Sequence, residues 1–293
     1  IDLNPHQVDA ALFFFDNPFS NWVILADEVW LGKTIEAWLV LNQLRSEHKR
    51  KILLIVPASL RKQRSAELID KFHIPSIVLD NKTYKEFNKK WWNPFIPTKP
   101  SVVICSYEFV AKRWSDIIQQ QRDLIVIDEA HKLRNVYKPD NKRANEIKSI
   151  TASYRKLLLT ATPLQNSLLE LYGLVSFVDE QTFWDLTSFK SQFIGDNINF
   201  DDLKERISPL IHRTLRKQVL EYISYTNRRA ITQSFTPSEN EQKLYEYVSE
   251  FLQRESLKSV NNSQKTLITL IFRKLLASST RAIAGTLDTM INR

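Results

Sequence analysis

Cysteine, methionine and glycine are scarce in this sequence of 293 residues, which contains one Cys, one Met and four Gly. A single cysteine excludes an intrachain disulfide framework and a zinc site made of several cysteines. Cys105 ends an apolar run that begins at Val102. We therefore interpret it as a small core residue rather than a ligand or a nucleophile.

Long apolar runs are also missing, because no segment reaches the ~18 apolar residues that a membrane-spanning helix needs. The start, Ile1 to Pro5, lacks the basic and apolar regions of a secretion signal. We therefore expect an intracellular protein that contacts no membrane. The only methionine is Met290, so we expect the chain to be an excised fragment or a processed product.

Apolar and basic residues, by contrast, are plentiful. Apolar residues make up 43% of the chain, enough for a substantial core, and the length favours two ordinary domains over one large one. Lys and Arg outnumber Asp and Glu by 41 to 33, a net charge of +8. This excess favours a polyanionic partner such as nucleic acid, although a soluble protein with a basic surface explains it equally well.

Short apolar runs alternate with longer segments of helical periodicity between residue 22 and about residue 165. This alternation predicts an α/β fold, a parallel sheet with helices on both faces. Most of the runs are uniformly apolar, as expected of strands buried on both sides. The predicted strands are Trp22–Ala26, Ile52–Val56, Ser76–Leu79, Val102–Cys105, Leu124–Ile127 and Leu157–Thr160.

Residues 81–100 interrupt this pattern with Lys-rich, Trp-rich and Pro-rich sequence, including Trp91–Pro94 and Pro97–Pro100. We interpret the segment as a surface excursion between two strands. Interleaved aromatic and basic residues are compatible with nucleic-acid binding, but a loop anchored by its own aromatic side chains is the preferred interpretation.

After residue 166 strand-like runs almost vanish, which predicts a lobe over residues 1–166 and a mostly helical extension over 167–293. Thr236 to Glu239 indicate a helix start, with a hydroxyl to cap the helix and Pro237 tolerated in its first turn. The predicted helices are Leu168–Val178, Phe183–Phe193, Leu203–Leu215, Glu239–Gln253 and Thr266–Ser278.

The segment Asp27–Thr34 follows a predicted strand and opens a helix, which is the context of a phosphate-binding loop. Backbone N–H groups at a helix start point at phosphate oxygens, Lys33 would meet the β and γ phosphates, and the Thr34 hydroxyl would bind magnesium. If no other motif supported a phosphate-binding loop, an ordinary helix start would be the preferred interpretation.

Two carboxylates, Asp128 and Glu129, end the apolar strand Leu124–Ile127, at the sheet edge where open α/β folds bind ligands. Asp128 would hold magnesium and Glu129 would deprotonate an attacking water. Either residue alone would be explained as a turn cap or an exposed acid. Together with the phosphate loop, they favour a site for a nucleotide and a metal ion.

A third strand end carries Thr160 and Thr162 within the stretch Leu157–Asn166. Their hydroxyl groups could sense the γ phosphate through hydrogen bonds to the acidic pair. A Thr-Ala-Thr-Pro stretch alone is more often a turn. The order of the three strand ends predicts that they converge on one sheet edge.

Taken together, these motifs resemble superfamily II helicase-like ATPases of the SWI/SNF type. The resemblance rests on three segments, DEV-x-LGKT, DEAH followed by Lys132–Asn135, and LTATPLQN. The last two are similar to the corresponding segments of bacterial members, including the polymerase-recycling ATPases. Further matching segments are Asn4–Gln7, Ile55–Leu60, Ile104–Glu108, Arg213–Lys217 and Phe235–Glu239. The last two resemble a helical protrusion that leads towards a second motor lobe.

The resemblance implies a RecA-like first lobe, ATP and Mg²⁺ as cofactors, catalysis by Lys33, Asp128 and Glu129, and metal ligation by Thr34 and Asp128. Nucleotide contact is implied for Gln7, Asp27, Glu28, Val29, Trp30, Leu31, Gly32, Lys33, Thr34, His131, Thr160 and Thr162. DNA-backbone contact is implied for Ser59, Lys62, Ser106 and Arg134.

Two residues depart from the family pattern. Trp30 replaces a glycine that permits positive φ and close approach to phosphate, at a cost of about 1–3 kcal/mol. Arg64, after Gln63, replaces an aromatic residue, which we expect to change local packing only slightly. Nothing resembles the second lobe, whose arginine is worth about 10³–10⁵ in rate in related phosphoryl transfer, so the fragment alone is expected to hydrolyse ATP poorly.

The resemblance implies an ATP-driven double-stranded-DNA translocase that remodels protein–DNA complexes or acts on a polymerase. We expect it in the bacterial cytoplasm, associated with the nucleoid. Another superfamily II helicase or a restriction-type translocase is a rival within the class. A catalytically silent DNA-binding or interaction module, with its nucleotide site closed by Trp30, is a rival from a different class.

Overall fold

A computed structural model describes residues 3–16, 22–89, 95, 100–118, 121–195, 199–223, 231, 236–253, 265–278 and 280–291. The chain forms two compact units, residues 1–225 and 226–293. Within the described residues, no helix combines the length and apolarity that crossing a bilayer requires.

The first unit is built on a seven-stranded sheet in which every pairing is parallel, in the order β3-β4-β2-β5-β6-β1-β7. The α/β fold predicted from the sequence is confirmed, and all six predicted strands are present to within a residue or two. The strands are β1 Trp22–Leu25, β2 Ile52–Val56, β3 Ser76–Val78, β4 Val102–Ser106, β5 Leu124–Asp128, β6 Lys156–Leu159 and β7 Ile211–His212.

Helices cover both faces of this sheet and form the second unit. The first unit contains α1 Pro5–Phe15, α2 Lys33–Ser46, α3 Arg61–Phe72, α4 Asn81–Lys89, α5 Tyr107–Lys112, α6 Trp114–Ile118, α7 Lys142–Thr151, α8 Leu168–Val178, α9 Leu186–Phe193 and α10 Phe200–Ile207. The second unit contains α11 Glu239–Gln253, α12 Lys265–Ser278 and α13 Thr280–Ile291.

Alternate strand residues point to opposite faces of the sheet, so the uniformly apolar strands feed two cores. Val23, Leu54 and Val126 pack with helices α1, α2 and α3 on one face. Ile24 and Ile127 pack with helices α5, α7, α8 and α9 on the other. This double burial explains why the central strands lack polar alternation.

The predicted helix Leu203–Leu215 is wrong over its second half. Helix α10 ends at Ile207, and residues 211–212 instead form β7, which pairs with β1. Pro209 provides the physical reason, because it lacks the backbone N–H that a continuing helix would need. Helix α9 also begins later than expected, at Leu186, where the Asp185 carboxylate caps it.

The expected boundary after residue 166 does not coincide with a break in packing. Residues of α8 and α9, such as Leu174 and Phe189, belong to the same core as Ile24 of β1. The second unit has its own small core of Val248, Leu252 and other apolar residues of α11, α12 and α13. Ser238 starts this unit's first helix through a reciprocal cap with Glu241.

The segment 81–100 begins with helix α4 rather than with an irregular loop. Of its aromatic residues, Phe95 is buried and packs near Tyr84 and Phe109, and Arg122 donates to its carbonyl oxygen at 3.0 Å. Trp91–Pro94 and the tract 97–99 lie outside the described residues.

Candidate functional site

The strand order places three of the sequence motifs side by side. Strand β6 lies between β5 and β1, and the register pairs Leu159 with both Asp128 and Leu25. Because all three strands are parallel, Asp27, Asp128 and Thr160 follow at the same edge of the sheet. The predicted convergence of three strand ends is therefore present in the fold.

The loop after β1 has the left-handed backbone that the sequence led us to expect at its glycine-like position. Trp30 has φ 75° and Gly32 has φ 94°. A Cβ at Gly32 would lie 2.5 Å from Gln7 Nε2, so this glycine is required by both space and conformation. The Trp30 side chain is 72% exposed, which means that its indole is directed largely into solvent.

The same loop is fastened by the residues that follow β7. Asp27 is fully buried and accepts from the Thr214 backbone N–H at 2.7 Å. Glu28 accepts from the Arg216 backbone N–H at 2.6 Å, and the Arg216 side chain donates to the Val29 carbonyl at 2.9 Å. From the sequence we expected Thr214 and Arg216 to belong to a protrusion. Their contacts with this loop could not be predicted, because a two-residue strand gives no periodic signal.

The buried Asp27 carboxylate is held in its charged form by these contacts. Burial by itself would raise its pKa, but His212, whose Nδ1 lies 3.4 Å from Oδ1, and the Thr214 N–H lower the pKa below the usual value. The carboxylate therefore serves as a fixed anchor between β1 and β7.

Gln7 lies beneath the loop. Its amide donates to the Leu31 carbonyl at 3.0 Å, its Oε1 accepts from the Asn4 backbone, and His6 Nε2 contacts the same Leu31 carbonyl at 2.8 Å. Nucleotide contact by Gln7 stays a prediction. In this structure the side chain supports the loop from below.

Lys33 begins helix α2 and its ammonium group is turned onto the loop. Nζ donates to the carbonyl oxygens of Asp27 at 2.7 Å and Glu28 at 3.1 Å. Burial lowers its pKa, and the negative charge of Asp27 opposes that shift. The lysine thus remains beside the helix N-terminus where an anionic group would bind.

Asp128 is buried at the end of β5 and both of its oxygens have donors. Oδ2 accepts from Arg64 Nε at 2.7 Å, and Oδ1 accepts from the Glu129 backbone N–H at 2.9 Å. Burial raises the pKa of Asp128, while the positive charge of Arg64 opposes the rise. From the sequence we expected Arg64 to change local packing only slightly, whereas in the structure it contacts the Asp128 carboxylate.

Glu129 has left-handed backbone, φ 55°, which is uncommon for a residue with a side chain and typical of strained functional positions. Its Oε2 lies 3.2 Å from His131 Nδ1. The neighbouring His131 lowers the pKa of Glu129 below its usual value although burial opposes this. Tyr107 donates to the Asp128 carbonyl at 2.6 Å and so fixes the turn.

Thr160 is buried, and its hydroxyl accepts from the Thr162 backbone N–H at 3.2 Å. Thr162 itself is exposed. The Thr160 N–H donates to the Leu25 carbonyl at 3.0 Å, which joins this turn to β1. The role of both hydroxyls in sensing phosphate stays a prediction.

A cleft of about 470 Å³ lies over these elements and is lined by Trp30, Gly32, Lys33, Thr34, Arg64 and Glu129, among others. The Thr34 hydroxyl and the Asp128 carboxylate are hard oxygen ligands of the kind that magnesium prefers. The residues present therefore fit a nucleotide phosphate chain and its metal ion. Arg64 contacts Asp128 directly, at the carboxylate where a metal ion would bind.

A second group of possible metal ligands lies deeper. His6, Asp27 and Glu36 bring ligand atoms within 4.8 Å of one another. However, His6 Nε2 contacts the Leu31 carbonyl and Nδ1 lies 3.3 Å from the Tyr222 hydroxyl. Burial and the charge of Asp27 raise the pKa of Glu36 to about 9. With its histidine already hydrogen-bonded and one acid neutral, this group is poorly suited to a cation.

The four predicted DNA contacts differ in their surroundings. Ser59, in the turn before α3, and Lys62, in the first turn of α3, are exposed. Ser106 is buried and caps α5 by accepting from the Phe109 N–H. Arg134 donates to Gln165 at 2.7 Å and lies 3.3 Å from Glu170. All four stay predictions, and the last two already have structural partners.

Comparison with known proteins identifies a family whose model matches most of this chain. A family model described as the SNF2-related domain matches residues 6–282. The chain is 30% identical over 296 residues to an uncharacterized ATP-dependent helicase, YqhH, of Bacillus subtilis (strain 168), covering 99% of this chain and 49% of that protein. It is 31% identical over 214 residues to the RNA polymerase-associated protein RapA of Klebsiella pneumoniae (strain 342), covering 71% and 21%.

Solved structures agree on the fold. The Sulfolobus solfataricus SWI2/SNF2 ATPase core in complex with dsDNA is similar with a TM-score of 0.63 and 23% identity, over 94% of this chain and 58% of that one. A second structure, of the Sulfolobus solfataricus SWI2/SNF2 ATPase core domain, is similar with a TM-score of 0.59 and 22% identity, over 94% of this chain and 57% of that one. The chain thus spans about half the length of the helicase relative and of these structures.

Proposed function

Since this chain belongs to the SNF2-related domain family, we propose that it forms the first motor lobe of an ATP-dependent double-stranded-DNA translocase that remodels protein–DNA complexes. The observation that carries this proposal is the adjacency of β5, β6 and β1. It brings a lysine at a helix N-terminus, an acidic pair and a threonine turn to one sheet edge. That combination suits phosphoryl transfer.

In the proposed reaction, the loop N–H groups and Lys33 bind the β and γ phosphates of ATP. Bound magnesium supplies electrostatic stabilisation of the phosphate charge. The Thr34 hydroxyl and the Asp128 carboxylate hold the metal. Glu129, whose lowered pKa keeps it ionised at neutral pH, orients the attacking water and takes its proton.

DNA contact is proposed through phosphates rather than bases, by the exposed Ser59 and Lys62 and, after rearrangement, by Ser106 and Arg134. Such binding weakens steeply with salt because counterions are released. The strands β4, β2 and β5 are neighbours, so these residues share a sheet edge with the acidic pair. The name of the Klebsiella relative makes RNA polymerase a candidate target for the complete protein.

We propose that full turnover needs the rest of the complete protein, because the chain spans 49% of the helicase relative. An arginine from a second lobe, reaching the γ phosphate, is the missing contribution. In related phosphoryl transfer such a residue is worth about 10³–10⁵ in rate. The isolated chain is therefore proposed to bind ATP and to hydrolyse it slowly.

A second candidate function follows from Trp30, which lines the cleft while it replaces the loop glycine. If the indole closes the site, the chain acts as a DNA-binding module without nucleotide. Its 72% exposure favours the ATP-binding alternative, since most of the indole surface is directed into solvent.

Isothermal titration of Mg²⁺-ATP into the chain separates these two functions. We expect saturable binding that Lys33→Ala weakens by about tenfold to a hundredfold, the worth of a hydrogen bond to a charged group. Lys190→Ala, an exposed lysine of α9, is the matched control and should bind as the parent does. No binding at millimolar ATP, with DNA binding intact, would establish the silent module instead.

A further inference from the structure

A guanidinium group already occupies the carboxylate that the proposed function assigns to magnesium. Arg64 Nε lies 2.7 Å from Asp128 Oδ2, and the two side chains are only 12% and 8% exposed. A charge-assisted hydrogen bond of this length between largely buried groups is among the stronger polar contacts in proteins. The other oxygen of Asp128 accepts from the Glu129 backbone, so neither oxygen is without a donor.

Arg64 has a second carboxylate within reach on its own helix. Its Nη1 donates to Glu67 Oε2 at 2.9 Å, and Gln63 Nε2 fixes the other Glu67 oxygen at 2.9 Å. Glu67 lines the same cleft as Thr34. The guanidinium therefore has an ionic partner even when it leaves Asp128.

A divalent cation and the guanidinium cannot share Asp128 without strong repulsion. A metal ion bound to this carboxylate would lie within a few ångströms of a positive charge in a largely buried environment, where electrostatic interactions are weakly screened. Entry of the metal thus requires Arg64 to move away. Its bond to Glu67 lets it do so without becoming an unpaired buried charge.

We infer that Arg64 competes with the divalent cation for Asp128, and that Glu67 keeps the guanidinium once the cation has taken its place. The inference rests on the proposed function, which assigns Asp128 to the metal. Arg64 is then a positioning residue that sets the metal concentration at which the site is loaded. Lys33, by contrast, contacts carbonyl oxygens of the loop and leaves the carboxylate open.

The direct test measures Mn²⁺ binding without nucleotide, from the loss of the free-ion signal in electron paramagnetic resonance. We expect Arg64→Gln to lower the Mn²⁺ Kd by about tenfold or more, which corresponds to about 1.4 kcal/mol. Adding Asp128→Asn to that variant should abolish the gain. Arg143→Gln, which removes an exposed guanidinium paired with Glu108, is the matched control and should leave the Kd unchanged.

Arg64→Lys gives a second readout that depends on charge rather than on folding. Because it retains a cation on α3, its Mn²⁺ Kd should stay within about threefold of the parent value, a free-energy change under about 0.7 kcal/mol. A gain as large as that of Arg64→Gln would overturn the inference. Equal Mn²⁺ affinity in the parent and in Arg64→Gln, including no binding by either, would overturn it as well.

Titrating Mg²⁺-ATP into the same variants distinguishes failure of the inference from failure of the proposed function. If Arg64→Gln gains Mn²⁺ affinity but no variant binds ATP, the competition at Asp128 stands and the nucleotide assignment fails. If ATP binds with a magnesium requirement that Arg64→Gln leaves unchanged, and its Mn²⁺ Kd is also unchanged, the assignment stands and the competition is refuted.

Discussion

Two tryptophans are among the five described non-glycine residues that have positive φ. Trp30 and Trp184 have φ 75° and 61°, a region that costs a bulky residue about 1–3 kcal/mol. Both side chains are mostly exposed, at 72% and 75%, so packing contributes little to offset the strain. Glu129 has the same kind of strain at the proposed catalytic position, where the backbone conformation sets the direction of its carboxylate.

Trp184→Gly should therefore raise the free energy of unfolding by about 0.5–2 kcal/mol, because relief of strain exceeds the entropy that glycine adds to the unfolded chain. Chemical denaturation of the chain measures this change. Trp184→Ala keeps the strained conformation and loses only exposed surface, so it should not stabilise. A glycine variant no more stable than the alanine variant would refute the account.

Ionisation of the Glu36 carboxyl group opposes folding. The group is fully buried, and burial together with the neighbouring Asp27 carboxylate raises its pKa from 4.5 to about 9. Between those two values the folded chain binds a proton that the unfolded chain has released. Stability is therefore lost as pH rises through this window.

Glu36→Gln should remove this loss, because glutamine is neutral at every pH. At pH 8 the variant should be more stable than the parent by roughly 2–4 kcal/mol, and at pH 4.5 the difference should be close to zero. Urea denaturation at several pH values measures the divergence. Parallel pH profiles for the two proteins would show that Glu36 is ionised in the fold.

At the scale of elements, the six longer strands were easier to predict than the two-residue strand β7. Most of the six strands that the sequence predicted are continuous apolar runs, because both of their faces are buried. The exception is the edge strand β3, whose three residues are half-buried. Strand β7 has two residues and follows Pro209, so periodicity extended a helix through it. This short strand nevertheless leads to Thr214 and Arg216, which fasten the phosphate loop, a contact that no local pattern encodes.

Helix α8 lies unusually close to the turn that follows the acidic pair. A Cβ at Gly173 would come within 1.8 Å of the Arg134 carbonyl oxygen and 3.2 Å of the Tyr137 ring. This close approach brings Glu170 to Arg134 and, through Asn166, joins the second motif to the third. Glycine is needed here for space rather than for a special φ.

Gly173→Ala should thus destabilise the first unit by about 1–3 kcal/mol, the usual cost of forcing a backbone shift in a packed region. Gly285→Ala is the matched control, since a Cβ there meets nothing within 4 Å in helix α13. Helix propensity predicts that this control is neutral or stabilising by about 0.5–1 kcal/mol. Thermal denaturation of both variants gives the comparison, and equal effects would contradict it.

For the whole molecule, the sequence predicted the parallel sheet and the convergence of three motifs. Both follow from a general rule, because the carboxyl ends of parallel strands lie at the same edge of the sheet and open α/β folds bind ligands there. It could not predict that Gln7 lies under the loop, that Arg134 contacts Glu170, or that Arg64 contacts Asp128. Each of these is a side-chain contact between residues distant in sequence. The sequence showed that Arg64 departs from the family pattern, but its contact with Asp128 depends on the tertiary fold.

The central claim is that these strand ends hydrolyse ATP when the second half of the protein is present. Its most direct test is the DNA-stimulated ATPase rate of the complete two-lobed protein, compared with its Trp30→Gly variant and with Trp30→Gly combined with Glu129→Gln. We predict that Trp30→Gly raises the rate and that adding Glu129→Gln lowers it by roughly 10²–10⁴, the usual worth of a general base. A rate that Glu129→Gln leaves unchanged would contradict the claim.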